Sequence, residues 1–153
     1  TNHVWPMTNT FQKELYSDFI RKIRCGSYHG RVILAKPILL YSVINLIENN
    51  VVFNNRIPFD VATEDEYKNT FIYFGARITP CFKPFYYLQY DGFWHLEWLN
   101  GRQETQTPSA KYIRDNVKYA YLDNAFWDLL QEQEMRDYFR KIIIEHYLKD
   151  DTK

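Results

Sequence analysis

Apolar residues recur at helical spacing near the start of the chain. Phe11, Leu15 and Phe19 follow one another at intervals of four, while lysines and arginines occupy the positions between and after them. This periodicity is typical of an amphipathic helix with one apolar stripe. It predicts a first helix over residues 10–24, which Gly26 would end.

Two further helices are predicted in the next third of the chain. Residues 36–47 are apolar on almost every side, and Pro37 suits the first turn of a buried helix because the missing N–H has no partner there. Thr63–Glu66 has the pattern of a capping box, which predicts a short helix that starts at Thr63 and ends at Gly75. Between these helices, residues 51–53 form an apolar, β-branched run that predicts a short strand.

The pattern changes in the middle of the chain. Two aromatic runs, 85–90 and 93–99, flank the dipeptide Asp91-Gly92. Asp-Gly between such runs is a strong hairpin signal, so we expect a β-hairpin with Gln89 opposite Trp94. Both faces of this hairpin would be rich in aromatic rings, which leaves one face available for binding.

The last third returns to helical spacing. Pro108 is expected at the first position of a helix, and Asp123 is expected to cap a helix over residues 124–131. A final helix is predicted over residues 134–148 from the stripe that begins at Met135. The sequence therefore predicts an α+β fold, mainly α, with five or six helices around a small antiparallel β-hairpin sheet. We expect one domain over residues 1–153, with its core at about residues 10–150.

The composition excludes several classes of protein. The chain of 153 residues has 46% hydrophobic and 25% charged residues, which is ordinary for a globular core. No apolar run approaches the length of a membrane span, so we expect no membrane association. Two cysteines, Cys25 and Cys81, are too few for a disulfide framework or a four-cysteine zinc site, and a reduced, cytoplasmic setting is expected.

No pattern of catalytic or metal-binding residues emerges. His95-Leu96-Glu97 matches part of a zinc-deaminase motif, but the cysteine pair that would complete the site is absent. Cys25 and His29 share a loop without a third group to orient them. Packing and surface roles are the better interpretation of these residues, so we expect no metal, no cofactor and no catalytic residue.

Charge is unevenly distributed although the chain is neutral overall. The 19 basic and 19 acidic residues give a formal net charge of zero. Residues 1–40 and 76–120 together carry an excess of six positive charges, which the other segments offset. Such a chain can present one basic face to a polyanion. A normally mixed, solvated surface is the alternative interpretation.

Five phrases, taken together, resemble a known family. They are 36–40 (KPILL), 55–59 (NRIPF), 83–94 (KPFYYLQYDGFW), 108–110 (PSA) and 121–131 (YLDNAFWDLLQ). Their order and spacing resemble the N-terminal DNA-recognition region of HNH-type, McrA-like, modification-dependent restriction endonucleases, which is a sulfur-binding domain. The resemblance covers about residues 10–150. The family's nuclease half is not visible in this chain.

The resemblance implies a module that binds double-stranded, phosphorothioate-modified DNA through an apolar pocket flanked by basic residues. The family's histidine–cation–proline phrase corresponds to Ala35-Lys36-Pro37, and its tyrosine–proline phrase corresponds to Lys83-Pro84. The cation and both prolines are kept, whereas the histidine and the pocket tyrosine are replaced. Tyr87 stands where the family often has a small residue of the pocket wall.

Site residues follow from this resemblance. The predicted DNA-binding residues are Arg31, Lys36, Lys83, Arg102, Ser109 and Lys111. The predicted modification pocket consists of Pro37, Pro84 and Tyr87. Any nuclease domain or nuclease partner would lie outside this chain, and the oligomeric state is left open. The alternative hypothesis is a protein-interaction or regulatory module that uses the aromatic hairpin face.

Overall fold

Helices account for most of the ordered structure. The computed structural model describes residues 7–149, so the first six and last four residues of the predicted domain lie outside the described part. The helices of this part are α1 (Met7–Arg21), α2 (Ala35–Glu48), α3 (Val61–Phe74), α4 (Phe82–Tyr87), α5 (Ala110–Asn116), α6 (Asn124–Leu129) and α7 (Gln133–Ile143). A 3₁₀ turn (Leu88–Tyr90) extends α4, and a π-helical turn (Ile144–Leu148) extends α7.

The strands form two small antiparallel sheets. They are β1 (Ser27–Tyr28), β2 (Arg31–Val32), β3 (Trp94–Trp98) and β4 (Val117–Leu122). β1 pairs with β2, and β3 pairs with β4. The predicted class, α+β and mainly α, is confirmed, although residues 7–149 hold seven α-helices rather than five or six.

Helix α2 lies at the centre of the core. It packs against α3, α4 and α7, so most of its side chains are buried on every side of the helix. Ile38, Leu39, Leu40, Val43 and Ile44 have no exposed surface. The apolar character of this segment on nearly all sides is thus explained by its three neighbours.

Aromatic rings join α1, α6 and α7. The ring of Phe126 in α6 stacks on Tyr16 of α1 with centroids 4.8 Å apart, and it meets Phe139 of α7 edge-on at 5.2 Å. The predicted stripe of the last helix is buried as expected, from Met135 through Phe139 to Ile143.

The predicted hairpin at Asp91-Gly92 is wrong. Its first arm is helical (α4 and the 3₁₀ turn), and the partner of β3 is β4, with Trp94 opposite Leu122. Pro84 cannot donate a hydrogen bond to a strand partner, but it fits the first turn of a helix. Gly92 is needed here because its φ is +99° and a Cβ would come within 2.8 Å of the Phe19 ring.

Several predicted element ends are also corrected. α3 is capped by Asp60, whose carboxylate accepts from the Thr63 amide, so the helix starts earlier than the predicted capping box. α5 begins at Ala110 rather than at Pro108, and Ser109 is its N-cap, because the Ser109 hydroxyl accepts from the Tyr112 amide. α1 ends at Arg21, well before Gly26, and residues 51–53 form no strand.

Asp123 stands at the N-cap of α6 without a capping hydrogen bond from its side chain. Its carboxylate instead accepts from the Tyr16 hydroxyl at 2.8 Å and contacts the His95 ring. The Gly75 end of α3 is as predicted, in the left-handed conformation. Along residues 7–149 no helix combines the length and apolarity needed to cross a lipid bilayer.

Candidate nucleic-acid interface

Helix α4 brings a predicted cation and two predicted pocket residues into one short element. Phe85 and Tyr86 face the core and are fully buried, which fixes the rotation of the helix. Lys83 is then exposed, Pro84 is buried and Tyr87 is half-buried. The Lys83 ammonium makes no ion pair with any residue in 7–149, so it is available to an anion.

The loop 99–109 is fixed against α4 by tyrosine hydroxyls. The Tyr86 hydroxyl accepts from the Thr105 amide at 2.7 Å and donates to the Thr105 carbonyl at 3.0 Å. The Tyr90 hydroxyl donates to Glu104 at 2.5 Å. The Tyr112 hydroxyl, from α5, donates to the Gln103 carbonyl. This loop therefore lies beside α4 and carries Arg102 with it.

Arg102 is exposed but paired. Its Nε donates to Glu104 at 3.0 Å. Hydrogen bonds from Arg102 and then from Tyr90 lower the pKa of Glu104, so the carboxylate stays ionised. Glu104 in turn raises the pKa of Arg102. An exposed pair of this kind is weak, so a phosphate can replace the carboxylate.

Ser109 and Lys111 stand at the start of α5, which packs against α4. The Ser109 hydroxyl accepts from the backbone, which leaves its proton free for another acceptor. Lys111 is strongly exposed, at 84% of its side-chain surface, and reaches Asp115 one turn later at 2.5 Å. Both residues are thus exposed at the start of the helix that follows the loop 99–109.

Lys36 and Pro37 lie at the start of α2 and are less accessible. The Lys36 ammonium donates to Asp91 at 2.7 Å, and the Asp91 side chain is only 2% exposed. Asp91 also accepts from the Arg24 amide at 2.9 Å. Pro37 is buried. A partly buried cation with a buried carboxylate as its partner is held in place as a structural group.

Arg31 lies in a short hairpin, whereas the sequence predicts a loop here. β1 and β2 are joined by His29 and Gly30, both with positive φ, which is the geometry of a tight type I′ turn. Arg31 is exposed and has no ion pair among the described residues. The neighbouring Tyr28 ring is exposed and lies under the Arg77 guanidinium at 5.5 Å. Tyr28 and Arg77 were not singled out from sequence, although the aromatic residue before His-Gly was a usable signal.

The predicted pocket residues differ in their exposure. Pro37 and Pro84 are buried and Tyr87 is half-buried, with its ring edge-on to Tyr86 at 5.0 Å. A cavity of about 300 Å³ lies elsewhere, between α2 and α3. The exposed aromatic hairpin face of the alternative hypothesis does not exist, because Phe85, Phe93 and Trp94 are all fully buried.

The two cysteine thiols are not activated as nucleophiles. Burial raises the pKa of the Cys25 thiol to about 11 and that of Cys81 to about 12, so both are protonated near neutral pH. Within residues 7–149 no three His, Cys, Asp or Glu side chains form a group that could hold a metal ion.

Comparison with solved structures identifies the fold. A structure described as the sulfur-binding domain and SRA domain of ScoMcrA, complexed with phosphorothioated DNA, matches with a TM-score of 0.69 at 18% sequence identity. The match covers 86% of this chain and 42% of that chain. The chain has a sulfur-binding-domain-like fold.

The sulfur-binding-domain-like fold confirms the resemblance that the sequence phrases predicted. No protein-family model matches the chain, and no curated protein matches it either. The chain spans less than half the length of the matched structure. The roles of the individual site residues stay predictions.

Proposed function

We propose that this chain is a recognition module that binds modified double-stranded DNA, with phosphorothioate as the modification. We further propose that it serves a restriction system whose nuclease activity lies outside this chain. The supporting observation is the likeness of fold, over 86% of the chain, to a structure that holds phosphorothioated DNA. No catalytic step is assigned to the described residues.

The chemistry of the modification suits α4. A phosphorothioate sulfur is larger and more weakly hydrated than a phosphate oxygen, so carbon surfaces favour it. The half-buried Tyr87 of α4 would contact the sulfur, whereas the buried Pro84 and Pro37 would support that surface from behind. α2 and α4 pack against each other, which places the two prolines in adjoining elements.

The available cations determine how the phosphates would be bound. Lys83 and Arg31 are exposed and unpaired among the described residues, so they are the best candidates for direct contacts. Arg102 and Lys111 would exchange their exposed carboxylate partners for phosphate, and Ser109 would donate its hydroxyl proton. Lys36 would act by holding Asp91 and the start of α2 rather than by reaching the DNA.

The decisive experiment compares two duplexes that differ in a single phosphorothioate. Fluorescence anisotropy at low salt should show tighter binding to the modified duplex. Equal affinity for both duplexes would disprove modification reading but leave DNA binding. Absence of binding to either duplex would disprove the whole proposal.

Lys83→Ala tests the interface itself. We expect the affinity for DNA to fall several-fold, since one phosphate contact is lost, while the melting temperature stays unchanged because Lys83 is exposed and unpaired. The matched control is Lys141→Ala, which removes an exposed lysine from α7 and should leave the affinity unchanged. Equal effects of the two variants would contradict the proposed position of the interface.

A further inference from the structure

The cavity between α2 and α3 lies outside the proposed DNA interface. Its lining comes from α2 and α3: Tyr41, Asn45, Glu66, Asn69, Thr70 and Tyr73. At about 300 Å³ it is at the small end of the range of ligand pockets. Glu66, which the sequence assigned to helix capping, lines this cavity instead.

Hydrogen bonds fix the polar groups of the cavity. The Thr70 hydroxyl accepts from the Ser42 hydroxyl at 2.9 Å and donates to the Glu66 carbonyl at 2.8 Å. The buried Thr70 hydroxyl therefore has both a donor and an acceptor as partners. The Asn45 amide donates to Glu66 Oε2 at 3.0 Å and accepts from the Arg140 Nε at 3.0 Å. Glu66 is therefore held by a side chain that is itself oriented by a cation.

One acceptor in the cavity is left unused. Glu66 Oε1 makes no hydrogen bond to any residue in the described part of the chain, whereas Oε2 is occupied. A fixed carboxylate with a free oxygen is a ready acceptor for a charged N–H donor.

Two tyrosine rings contribute to the lining from opposite helices. Tyr41 of α2 and Tyr73 of α3 each meet the ring of Phe74 edge-on, at 5.1 Å and 4.9 Å. Tyr73 is 78% exposed, so its ring can adjust to a ligand without a change in the core. Burial raises the pKa of the Tyr41 hydroxyl, which stays neutral.

The charge of the lining favours a cation. Glu66 is the one ionised group among the six lining residues. The nearby Arg140 guanidinium is already neutralised by Glu48 at 3.0 Å and Asp137 at 3.1 Å. An anion such as a phosphate would meet the Glu66 carboxylate and be repelled.

We propose that this cavity binds a planar cation of the guanidinium class. Its N–H groups would donate to Glu66, and its flat face would stack on the exposed Tyr73 ring, as guanidinium groups do better than ammonium groups. The Arg140 guanidinium already lies over the Tyr41 ring at 5.9 Å, which shows the same pairing within this chain. The source is either a small molecule or an arginine side chain of a partner protein. This site is separate from the proposed DNA interface, because none of its lining residues belongs to that interface.

Titration of the ¹⁵N-labelled chain, followed by NMR, tests the proposal. The probes are methylguanidinium, N-acetyl-arginine amide, N-acetyl-lysine amide and guanosine monophosphate. The guanidinium probes should shift the signals of Asn45, Asn69 and Thr70 in a saturable manner, and more strongly than the lysine probe. Equal binding of the lysine probe or the nucleotide, or no saturable shift with the guanidinium probes, would overturn the proposal.

The two guanidinium probes also separate the sources. Equal affinities indicate that the guanidinium group alone is recognised, as for a small molecule. Tighter binding of N-acetyl-arginine amide indicates an arginine of a polypeptide. Either result supports the cation site.

Variants locate the binding in the cavity. Glu66→Gln should weaken the guanidinium probes about tenfold, since a charge-assisted hydrogen bond becomes neutral. The control Glu64→Gln makes the same change two residues away and should leave the affinity unchanged. Tyr73→Ala, at an exposed position that leaves the core intact, should also weaken binding. Unchanged affinity in both Glu66→Gln and Tyr73→Ala would overturn the site, while DNA affinity should be unaltered by either.

Discussion

At the scale of single residues, Asp91 shows what local sequence patterns miss. Beside Gly92 it has the pattern of a hairpin turn, and Lys36 alone has the pattern of a phosphate-binding cation. The structure pairs the two across 55 positions of sequence, in a partly buried ion pair. A local pattern contains no information about such a partner, so the exposure of Lys36 could not be predicted from sequence. The exposed positions of Lys83 and Arg31 involve no distant partner and agree with their polar character.

The Lys36–Asp91 pair predicts a stability effect. Lys36→Met should lower the free energy of unfolding by about 3 kcal/mol, because Asp91 would be left as a buried charge with a single backbone donor. Chemical denaturation measures this, and Lys36→Met/Asp91→Asn is the control, which should recover much of the loss. A single variant as stable as the parent chain would contradict the buried pair.

At the scale of elements, the segment 82–99 shows a sequence pattern that predicts a strand where the structure has a helix. Alternating aromatics and Asp-Gly favoured two strands, but the first run also places Phe82, Phe85 and Leu88 at helical spacing, and Pro84 argues against a strand. The helical alternative is preferred because it buries Phe85 and Tyr86 against α2 and the loop. The helices with one clear stripe, such as α7, were predictable because a single partner layer determines their burial.

One hydroxyl of α4, that of Tyr86, makes two of the hydrogen bonds that hold the loop 99–109. Tyr86→Phe removes both hydrogen bonds to Thr105 and should destabilise the chain by about 1–2 kcal/mol. Hydrogen exchange should accelerate at the Thr105 amide while the β3–β4 amides keep their protection. Undiminished protection at Thr105 would show that the loop is held by other contacts.

Glu48 connects α2 to α7 and makes that contact sensitive to acid. A hydrogen bond from Arg140 holds the pKa of Glu48 below its ordinary value, so the contact stabilises the fold above the unfolded-state pKa and is lost as pH falls through the lower, folded-state pKa. We expect Glu48→Gln to reduce stability at pH 7 and to have a progressively smaller effect as the pH falls below the unfolded-state pKa. Thermal unfolding across this range is the measurement, with Glu134→Gln on α7 as the exposed control. A deficit that persists unchanged at the acid end would contradict the ion pair.

At the scale of the whole molecule, zero net charge coexists with exposed cations on α4, α5, the loop 99–109 and the β1–β2 hairpin. The fold class and the similarity to a sulfur-binding domain were predictable from sequence, because each depends on many residues along the chain. The arrangement of the site was not, because it depends on how α4, α5 and the loop pack.

This arrangement predicts a modest salt dependence. Two unpaired cations and two exposed, exchangeable pairs should give a slope of log affinity against log salt of about −2 to −4, shallower than for a strongly basic protein. Binding titrations between low and physiological salt measure the slope. A slope near zero would contradict phosphate contacts at Arg31, Lys83, Arg102 and Lys111.

The pairing of β3 with β4 has a consequence for the order in which the chain can fold. The strand partner of Trp94 is Leu122, so the intervening segment, which includes α5, must bring its two ends together before the sheet forms. During synthesis, the ribosome must release the chain beyond residue 122 before β3 is paired. A fragment cut between the two strands would leave an unpaired edge beside its most aromatic segment, and this makes premature termination there an aggregation hazard.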